Sequence, residues 1–280
     1  MTRIALMGAG GKMGFRIAKK IKGLGEYAVR YVEITPAAIE RLKGLGVAVA
    51  PQDEAVSDAD VVILGVPDVV IGKISAEIVP QLKPGAMLLG LDPAAAYAEV
   101  MPVRKGISYF VTHPCHPSVF GSDPDIRAVN DYFGGIASMD IVCALYRGPE
   151  SDYPRGETIA KVIFSPVRRS FRITIEQMAI LEPALVETFA LTLVGAMTEA
   201  VDEAAKMGVP TEVAKSFLWG HVRTEMAAMF GVADFTVSDG AKQAMAEAKD
   251  IIFKPDWKKN VFDVSRIKET VRRITSAIAR

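Results

Sequence analysis

The chain has 280 residues, half of them hydrophobic, and 33 basic side chains balance 33 acidic ones. This length allows one large or two ordinary domains with a sizeable core. The balanced charge gives no electrostatic case for binding nucleic acid or an acidic membrane. Cys115 and Cys143 are the only cysteines, and they form no paired metal motif. This cysteine usage predicts a reducing, cytoplasmic setting.

The hydropathy pattern argues against export and membrane insertion. The first apolar run, Ile4–Met7, is only four residues long and is followed by glycines, which predicts no signal peptide. No stretch is expected to approach the roughly 18 to 20 apolar residues of a membrane span. The mean hydropathy of +0.23 is high for a monomer that is not embedded in a membrane. We therefore expect a buried subunit interface, and hence a homodimer.

The first fifteen residues predict a strand, a glycine-rich turn and a helix. Glycines suit such a turn because a diphosphate can approach the amides at a helix N-terminus only where no side chain intervenes. The glycines can be read with the spacing G-x-G-x-x-x-G or G-x-x-G-x-x-G, and a turn without any ligand is the alternative. The candidate cofactor-binding residues here are Gly8, Ala9, Gly10, Gly11, Lys12, Met13 and Gly14.

A second predicted strand begins at Tyr27 and ends at an acidic residue, Glu33. A carboxylate at this position can accept hydrogen bonds from the adenosine ribose hydroxyls, and it repels a 2'-phosphate. No arginine follows directly in Ile34-Thr35-Pro36. These features favour NAD over NADP as cofactor, with a solvated surface charge as the alternative role for Glu33.

Helical and apolar segments alternate up to about residue 175. Near-continuous apolar runs such as 61–66 and 86–91 are typical of strands buried on both faces of a parallel sheet. The alternation predicts an α/β fold, a Rossmann-type doubly wound sheet over residues 1–175. Ligands in such sheets lie beyond the carboxyl ends of the strands. This places Val66 and Pro67 near the cofactor and Asp92 near the substrate.

Two of the three histidines lie close together after the strand expected at 107–111. His113 and His116 stand in the sequence His-Pro-Cys-His-Pro. A histidine can accept the proton of a hydroxyl group, or bind a metal ion when it is neutral. Both are candidate catalytic residues, and structural hydrogen bonding is the alternative for each.

The pattern changes near Ile175, after which no strand is expected. We predict an all-α C-terminal domain, residues 176–280, for substrate binding and dimerisation. Its main helix is expected from about 183 to 207, with Pro183 near its start. Further helices are expected at about 211–230, 238–253 and 263–279. On the second of these helices His221 is a candidate substrate contact, or a core histidine paired with Glu225.

In this arrangement the chain resembles the 6-phosphogluconate and 3-hydroxyacid dehydrogenase superfamily. The glycine turn and the His-Pro pair are also similar to those of prephenate dehydrogenases, whose catalytic histidine would correspond to His113. The 3-hydroxyacid dehydrogenases carry a catalytic lysine at the start of the long helix. Here no lysine lies between Lys161 and Lys206, and Glu182 and Glu187 occupy that region instead.

Three segments resemble one branch of this superfamily, which has a phosphogluconate dehydrogenase-like C-terminal domain. They are residues 113–117, 176–183 and 220–221. This resemblance implies NAD-dependent oxidation of a small hydroxy acid or sugar acid, in the oxidoisomerase case with a shift of a carbon substituent. A prephenate-like or 3-hydroxyacid dehydrogenase without isomerisation, and an NAD-binding sensor without turnover, remain alternatives.

Alcohol oxidation needs a base for the hydroxyl proton and a nicotinamide that takes the hydride. We expect His113 to be that base. A carbon shift also needs a polarised carbonyl beside an alkoxide, which a divalent metal ion supplies. His113 or His116 together with Glu182 could bind such an ion, and His113 would then be a ligand and not the base. Glu182 is accordingly both a catalytic and a metal-binding candidate.

Overall fold

The computed structural model describes residues 1–276, and it contains a seven-stranded sheet. The order across the sheet is β2-β1-β3-β4-β5-β6-β7. The first five strands are parallel, β6 runs antiparallel to β5, and β7 is parallel to β6. The strands are β1 Thr2–Met7, β2 Tyr27–Val32, β3 Val61–Leu64, β4 Met87–Gly90, β5 Ser108–Pro114, β6 Met139–Arg147 and β7 Val167–Arg172.

Helices connect the strands and then form the rest of the chain. The first six are α1 Lys12–Ile21, α2 Pro36–Gly44, α3 Gln52–Ser57, α4 Asp68–Ile78, α5 Ala94–Tyr97 and α6 Tyr153–Ile163. The others are α7 Ile175–Lys206, α8 Thr211–Met229, α9 Asp239–Ile252, α10 Trp257–Val261 and α11 Val264–Ser276. The Rossmann-type sheet followed by a helical region confirms the predicted fold class.

Apolar side chains cover both faces of the sheet. Every residue of β3 and β4 is buried, which explains why these segments are apolar without alternation. One face packs its core around Val62, Leu64 and Leu88, and the opposite face around Ile63 and Leu89. The sheet is therefore a rigid platform on which the carboxyl ends of the strands hold their side chains.

Three short segments differ from what their sequence pattern predicts. Residues 47–49 read as a short strand, but they form only a single bridge between Tyr31 and Val49. Residues 94–104 read as a helix, but only one turn forms, Ala94–Tyr97, while the six-residue helix α3 has no helical pattern that predicts it. Segments this short carry too few residues for a period to be recognised, and contacts with the sheet decide their conformation.

Strand β5 extends three residues further than expected. Thr112, His113 and Pro114 pair with Cys143, Val142 and Ile141 of the antiparallel strand β6. This pairing places His113 within the last paired residues of β5, so strand hydrogen bonding holds its backbone. A histidine so placed has a more fixed direction than one on a loop.

Helix α7 begins eight residues before the expected start at Pro183. Thr174 caps it, with a reciprocal hydrogen bond to Gln177. Pro183 lies inside a stretch of wide π-helical turns, Ile180–Ala190. Proline lacks an N–H and crowds the preceding turn, and the wider turns accommodate it without ending the helix. The prediction that proline marks the helix start was therefore wrong.

Helix α7 also corrects the expectation on apolar length. Its 32 residues make it, among the residues that the structure describes, the one helix long and apolar enough to cross a membrane by length and composition alone. Only 22% of its most apolar window is buried. The expectation that no stretch approaches a membrane span was thus wrong by this measure, although core helices and interface helices meet the same criterion.

The chain forms two compact units, residues 1–181 with the final helical segment from 268, and residues 182–267. In the second unit, all of which the structure describes, the buried residues are Pro183, Ala184, Val201 and Ile267. Its apolar side chains are therefore largely uncovered. The division into an NAD-binding domain, 1–175, and an all-α domain for substrate binding and dimerisation, 176–280, stays a prediction.

Candidate active site

Close contacts within the turn after β1 leave no space for a side chain at several of its glycines. A side chain on Gly14 would bring its Cβ within 2.0 Å of the Gly8 carbonyl oxygen. A Cβ on Gly8 would meet Gly65 at 2.5 Å, and one on Gly10 would meet Ala38 at 2.5 Å. Gly8 also has a φ of +65°, in the left-handed region. These contacts require glycine at positions 8, 10 and 14, which favours the G-x-G-x-x-x-G reading.

Gly11 differs from the other three glycines of the turn. Its Cβ would lie 3.3 Å from the Gly8 carbonyl oxygen, a tight contact but a far milder one than at the other three positions. Gly11 is the N-cap of α1, and no side chain caps that helix. The first N–H groups of a helix have no partner within it and attract anions. The first turn of α1, with Lys12 and Met13, therefore has the construction of a diphosphate site.

Glu33 lies against this turn and is part of its structure. Its carboxylate accepts hydrogen bonds from the backbone N–H of Gly10 at 2.9 Å, of Ile34 at 2.9 Å and of Thr35 at 3.0 Å. Burial raises the pKa of Glu33, but these hydrogen bonds outweigh it and lower the pKa below its ordinary value. A fixed, fully ionised carboxylate thus stands beside the glycine turn at neutral pH.

The end of β3 forms the other side of the turn. The side chain of Val66 lies 2.8 Å from where a Gly8 Cβ would be, and Pro67 is the N-cap of α4. Asp68 is the first residue of that helix. The structure thus brings Val66 next to the glycine turn, as expected for a residue that borders the cofactor. Whether Val66 and Pro67 contact the cofactor stays a prediction.

His113 is held by a hydrogen bond between its Nδ1 and the carbonyl oxygen of Leu91 at 2.9 Å. A carbonyl only accepts, so the neutral ring carries its proton on Nδ1. Nε2 is then the atom that can accept a proton or bind a metal ion. Backbone carbonyls orient metal-binding and catalytic histidines in the same way. The geometry fits both roles that the sequence left open for His113.

A small group of ligand atoms surrounds His113. Asp92 Oδ2 lies 3.7 Å from His113 Nδ1, and its Oδ1 accepts a hydrogen bond from the Ala94 N–H. Asp92, His113 and Glu182 each offer one ligand atom, and these atoms all lie within 4.8 Å of one another. One nitrogen and two carboxylate oxygens form a donor set that suits a divalent cation. Asp92, predicted as a substrate contact, thus joins the predicted metal ligands.

Asp68 is a candidate that the sequence analysis did not select. Burial, and then the nearby negative charge of Asp92, raise its pKa to about 6, and His113 opposes this shift. A carboxyl group that titrates near neutrality beside a histidine is typical of functional sites. An aspartate directly after Val-Pro reads as an ordinary first residue of a helix, so its position gave no signal beyond its place at a strand end.

We expect Asp68→Asn to stabilise the metal-free protein at pH 8 by roughly 1 to 3 kcal/mol. The folded pKa lies above the unfolded value, so the ionised carboxylate costs stability, and this cost grows from about pH 4 to a plateau above the folded pKa of about 6. The gain should therefore vanish near pH 4. Urea unfolding with a chelator present at both pH values measures it, and equal gains at both would contradict the titration of Asp68.

His116 is held in an unusual conformation. Its φ is +59°, a left-handed value that a non-glycine residue rarely adopts. Its ring is perpendicular to that of His113 at 6.3 Å and to that of Phe133 at 5.5 Å. Its Nδ1 is buried, and none of the described residues makes a hydrogen bond with it. Burial, and then His113, lower the pKa of His116, so its ring is neutral at pH 7.

His221 lies on the exposed surface of α8. Its Nδ1 hydrogen-bonds to the Phe217 carbonyl at 2.8 Å, and its ring stacks on that of Phe217 at 4.1 Å. The alternative of a core histidine paired with Glu225 was therefore wrong, because local helix contacts hold the ring outside any core. The role of His221 as a substrate contact stays a prediction.

Comparison with known proteins was made for the whole chain. A sequence profile for the phosphogluconate dehydrogenase (decarboxylating) C-terminal region matches residues 122–275, and one for coenzyme F420-dependent NADP oxidoreductase matches residues 3–90. A protein of Rhizobium rhizogenes named D-apionate oxidoisomerase is 48% identical over 98% of this chain and 100% of its own length. The chain belongs to the D-apionate oxidoisomerase family. A Cupriavidus necator protein of that name is 46% identical over 98% of this chain and 99% of its own.

Solved structures agree with membership of the D-apionate oxidoisomerase family. A crystal structure described as a semialdehyde dehydrogenase NAD-binding protein of Cupriavidus necator, in complex with calcium and NAD, is 46% identical. It superimposes with a TM-score of 0.95 over 98% of this chain and 100% of that one. An NADH-preferring ketol-acid reductoisomerase from an uncultured archaeon matches at 20% identity, with a TM-score of 0.67 over 98% of this chain and 82% of that one, and shows a common fold. The predicted superfamily branch and the predicted class of NAD-dependent oxidoreductase are confirmed.

Proposed function

We propose that this protein oxidises D-apionate with NAD and rearranges its carbon skeleton to give 3-oxo-isoapionate. The observation that carries the proposal is the orientation of His113 beside Asp92 and Glu182, in a chain 48% identical to a D-apionate oxidoisomerase over its full length. In this reaction NAD takes a hydride from a carbinol carbon, and the hydroxyl proton is released.

The glycine turn and Glu33 supply the cofactor site in this proposal. The first turn of α1 faces the diphosphate through its N–H groups. The carboxylate of Glu33 accepts hydrogen bonds from the adenosine ribose, and its low pKa keeps the negative charge that disfavours a 2'-phosphate. Val66 and Pro67 border the cofactor on the other side of the turn.

The cation donors fit the second half of the reaction. Asp92, His113 and Glu182 would hold a divalent ion, and the mixed oxygen and nitrogen donor set supports this assignment. Such an ion, when bound, polarises a carbonyl group and stabilises an alkoxide, which a carbon shift requires. With His113 as a ligand, His116 is the nearby neutral imidazole that can hold the substrate proton.

Incubation of the purified protein with NAD and D-apionate tests the proposal. We expect absorbance of NADH to appear, carbon NMR to show the rearranged product, and a chelator to stop the reaction until calcium or another divalent ion is restored. NADP should support much slower turnover. A product with an unrearranged skeleton would make the protein a plain dehydrogenase, and no turnover with any sugar acid would contradict the proposal entirely.

We propose further that the protein is a cytoplasmic homodimer formed through the apolar surfaces of α7 and α8. Exposed side chains on these helices include Leu191, Val194, Phe217 and Trp219, each more than half exposed. So much uncovered apolar surface is unusual for a monomer. A second copy of the chain presents the same apolar surface and would cover it.

Light scattering measures the oligomeric state. We expect a mass of about twice 30.2 kDa for the native protein and a shift to monomer for the double variant Leu191→Glu/Phe217→Glu. The matched change Val209→Glu, on the loop after α7, should leave the mass unchanged. A native mass near that of one chain would contradict the dimer.

A further inference from the structure

The segment between β5 and β6, residues 115–138, contacts helix α1 at two points. Arg16 of α1 places its guanidinium carbon 3.9 Å from the centre of the Phe133 ring. Lys20, one turn further along α1, donates a hydrogen bond to the Gly135 carbonyl oxygen at 2.8 Å. Arg16 also contacts the sulfur of Met13 at 3.7 Å, within the glycine turn. Side chains of α1 therefore hold this segment in place.

The backbone of the segment is shaped around Phe133. Gly134 and Gly135, which follow it, have φ values of +83° and +131°, a conformation that favours glycine. The carboxylate of Asp131 accepts hydrogen bonds from the N–H of Ile136 at 2.7 Å and of Ala137 at 3.0 Å. Phe133 thus stands at the tip of a tight, hydrogen-bonded turn, although it is 53% exposed.

The Phe133 ring also contacts the ring of His116. The two rings are perpendicular, with centres 5.5 Å apart, and His116 is perpendicular to His113 at 6.3 Å. His116 has a strained left-handed backbone and a buried Nδ1 without a hydrogen-bond partner among the described residues. The backbone of Phe133 also makes a hydrogen bond with the His116 imidazole, so Phe133 meets this ring through both its backbone and its side chain. Ring packing adds a second restraint on the imidazole, and a substitution of the Phe133 side chain removes that restraint alone.

We propose that Phe133, held by Arg16, is a positioning residue that fixes the His116 imidazole at the active site. A cation over the aromatic face restrains the Phe133 ring, and an aromatic edge contact restrains the imidazole in turn. Orientation of a catalytic group within about 1 Å governs rate more than binding, so its loss lowers kcat rather than raising KM. The kinetic part of this proposal rests on the proposed function, and the spectroscopic part does not.

Histidine-selective NMR tests the contact directly, because the chain contains only three histidines. The three ring signals are assigned with the single variants His113→Gln, His116→Gln and His221→Gln. In Phe133→Ala the His116 signal should move downfield and broaden, since the ring current and the restraint are lost, while the His221 signal stays in place. Phe133→Tyr should restore the native position.

Kinetics of the same variants complete the test. We expect kcat to fall about ten- to a hundredfold in Phe133→Ala, with little change in KM for NAD, a smaller fall in Arg16→Gln, and near-native rates in Phe133→Tyr. Tyr132→Ala is the matched control, because this neighbouring ring is 72% exposed and contacts only Asn130 among the described hydrogen bonds. Thermal melting of each variant separates misfolding from loss of position.

An unmoved His116 signal in Phe133→Ala would overturn the proposal, as would native kcat in that variant or equal effects from Tyr132→Ala. A native protein without D-apionate turnover in which Phe133→Ala still shifts the His116 signal would overturn the proposed function alone. The two inferences therefore fail separately.

Discussion

The variant His113→Gln is expected to lose about a hundredfold to ten-thousandfold in kcat/KM, the range found on removal of a general base. Glutamine can still donate to the Leu91 carbonyl, which His113 Nδ1 reaches at 2.9 Å, but it offers no basic nitrogen in place of Nε2. The loss follows for either role of His113, since both use Nε2. Steady-state assays of NADH formation measure it.

The proposed cofactor site provides the internal control for this variant. The glycine turn joins β1 to α1, and Glu33 directly follows β2, so the affinity for NAD should match that of the native protein in fluorescence titrations. Asp92→Asn separates the two roles of His113. If the three donors bind a cation, both variants should need much more divalent ion for half-maximal activity or stabilisation. Native activity in His113→Gln would remove this residue from the mechanism.

The variant Gly14→Ala is expected to destabilise the protein by roughly 2 to 4 kcal/mol and to abolish NAD binding. Its Cβ would lie 2.0 Å from the Gly8 carbonyl oxygen, and that contact is with backbone, which has no side-chain freedom to relieve it. The turn must open, and the N–H groups of α1 then lose their direction. Urea unfolding and NAD titration measure the two effects.

Gly44→Ala is the matched control, because Gly44 lies at the end of α2 with nothing within 4 Å of an added Cβ. It should leave NAD binding unchanged and stability equal or up to about 1 kcal/mol higher. Gly11→Ala separates the effect on stability from the effect on NAD binding. With 3.3 Å available it should keep native stability within about 1 kcal/mol and yet weaken NAD binding. A native melting curve for Gly14→Ala would contradict the steric argument.

The elements that carry the cofactor site could be predicted from sequence because each has a local cause. Apolar runs without alternation indicated β3 and β4, and a glycine cluster between a strand and a helix indicated the turn. Parallel strands end at one edge of a sheet, which is why Asp92 and His113 could be placed together from the sequence alone. The choice among Gly8, Gly10, Gly11 and Gly14 could not be made, since it depends on Gly65 and Ala38 across the fold.

The features that sequence missed depend on tertiary contacts. Pro183 indicated a helix start, but wide π-helical turns absorb it, and the capping pair Thr174 and Gln177 begins the helix earlier. Asp68 acquires its raised pKa from burial and from Asp92, neither of which its own neighbours in sequence reveal. Phe133 lies in an irregular segment, where no period distinguishes a contact residue from a solvent-exposed one.

The antiparallel direction of β6 has a consequence for how this enzyme family can diversify. Because β6 runs back along β5, the connection between them leaves and re-enters the sheet at the same edge, the edge that carries His113. A parallel strand there would have needed a crossover to the far edge. Insertions, deletions and substitutions in residues 115–138 can therefore reshape the surroundings of His113 while the order and register of the sheet stay intact. We therefore expect substrate specificity within this family to change most readily through this connection.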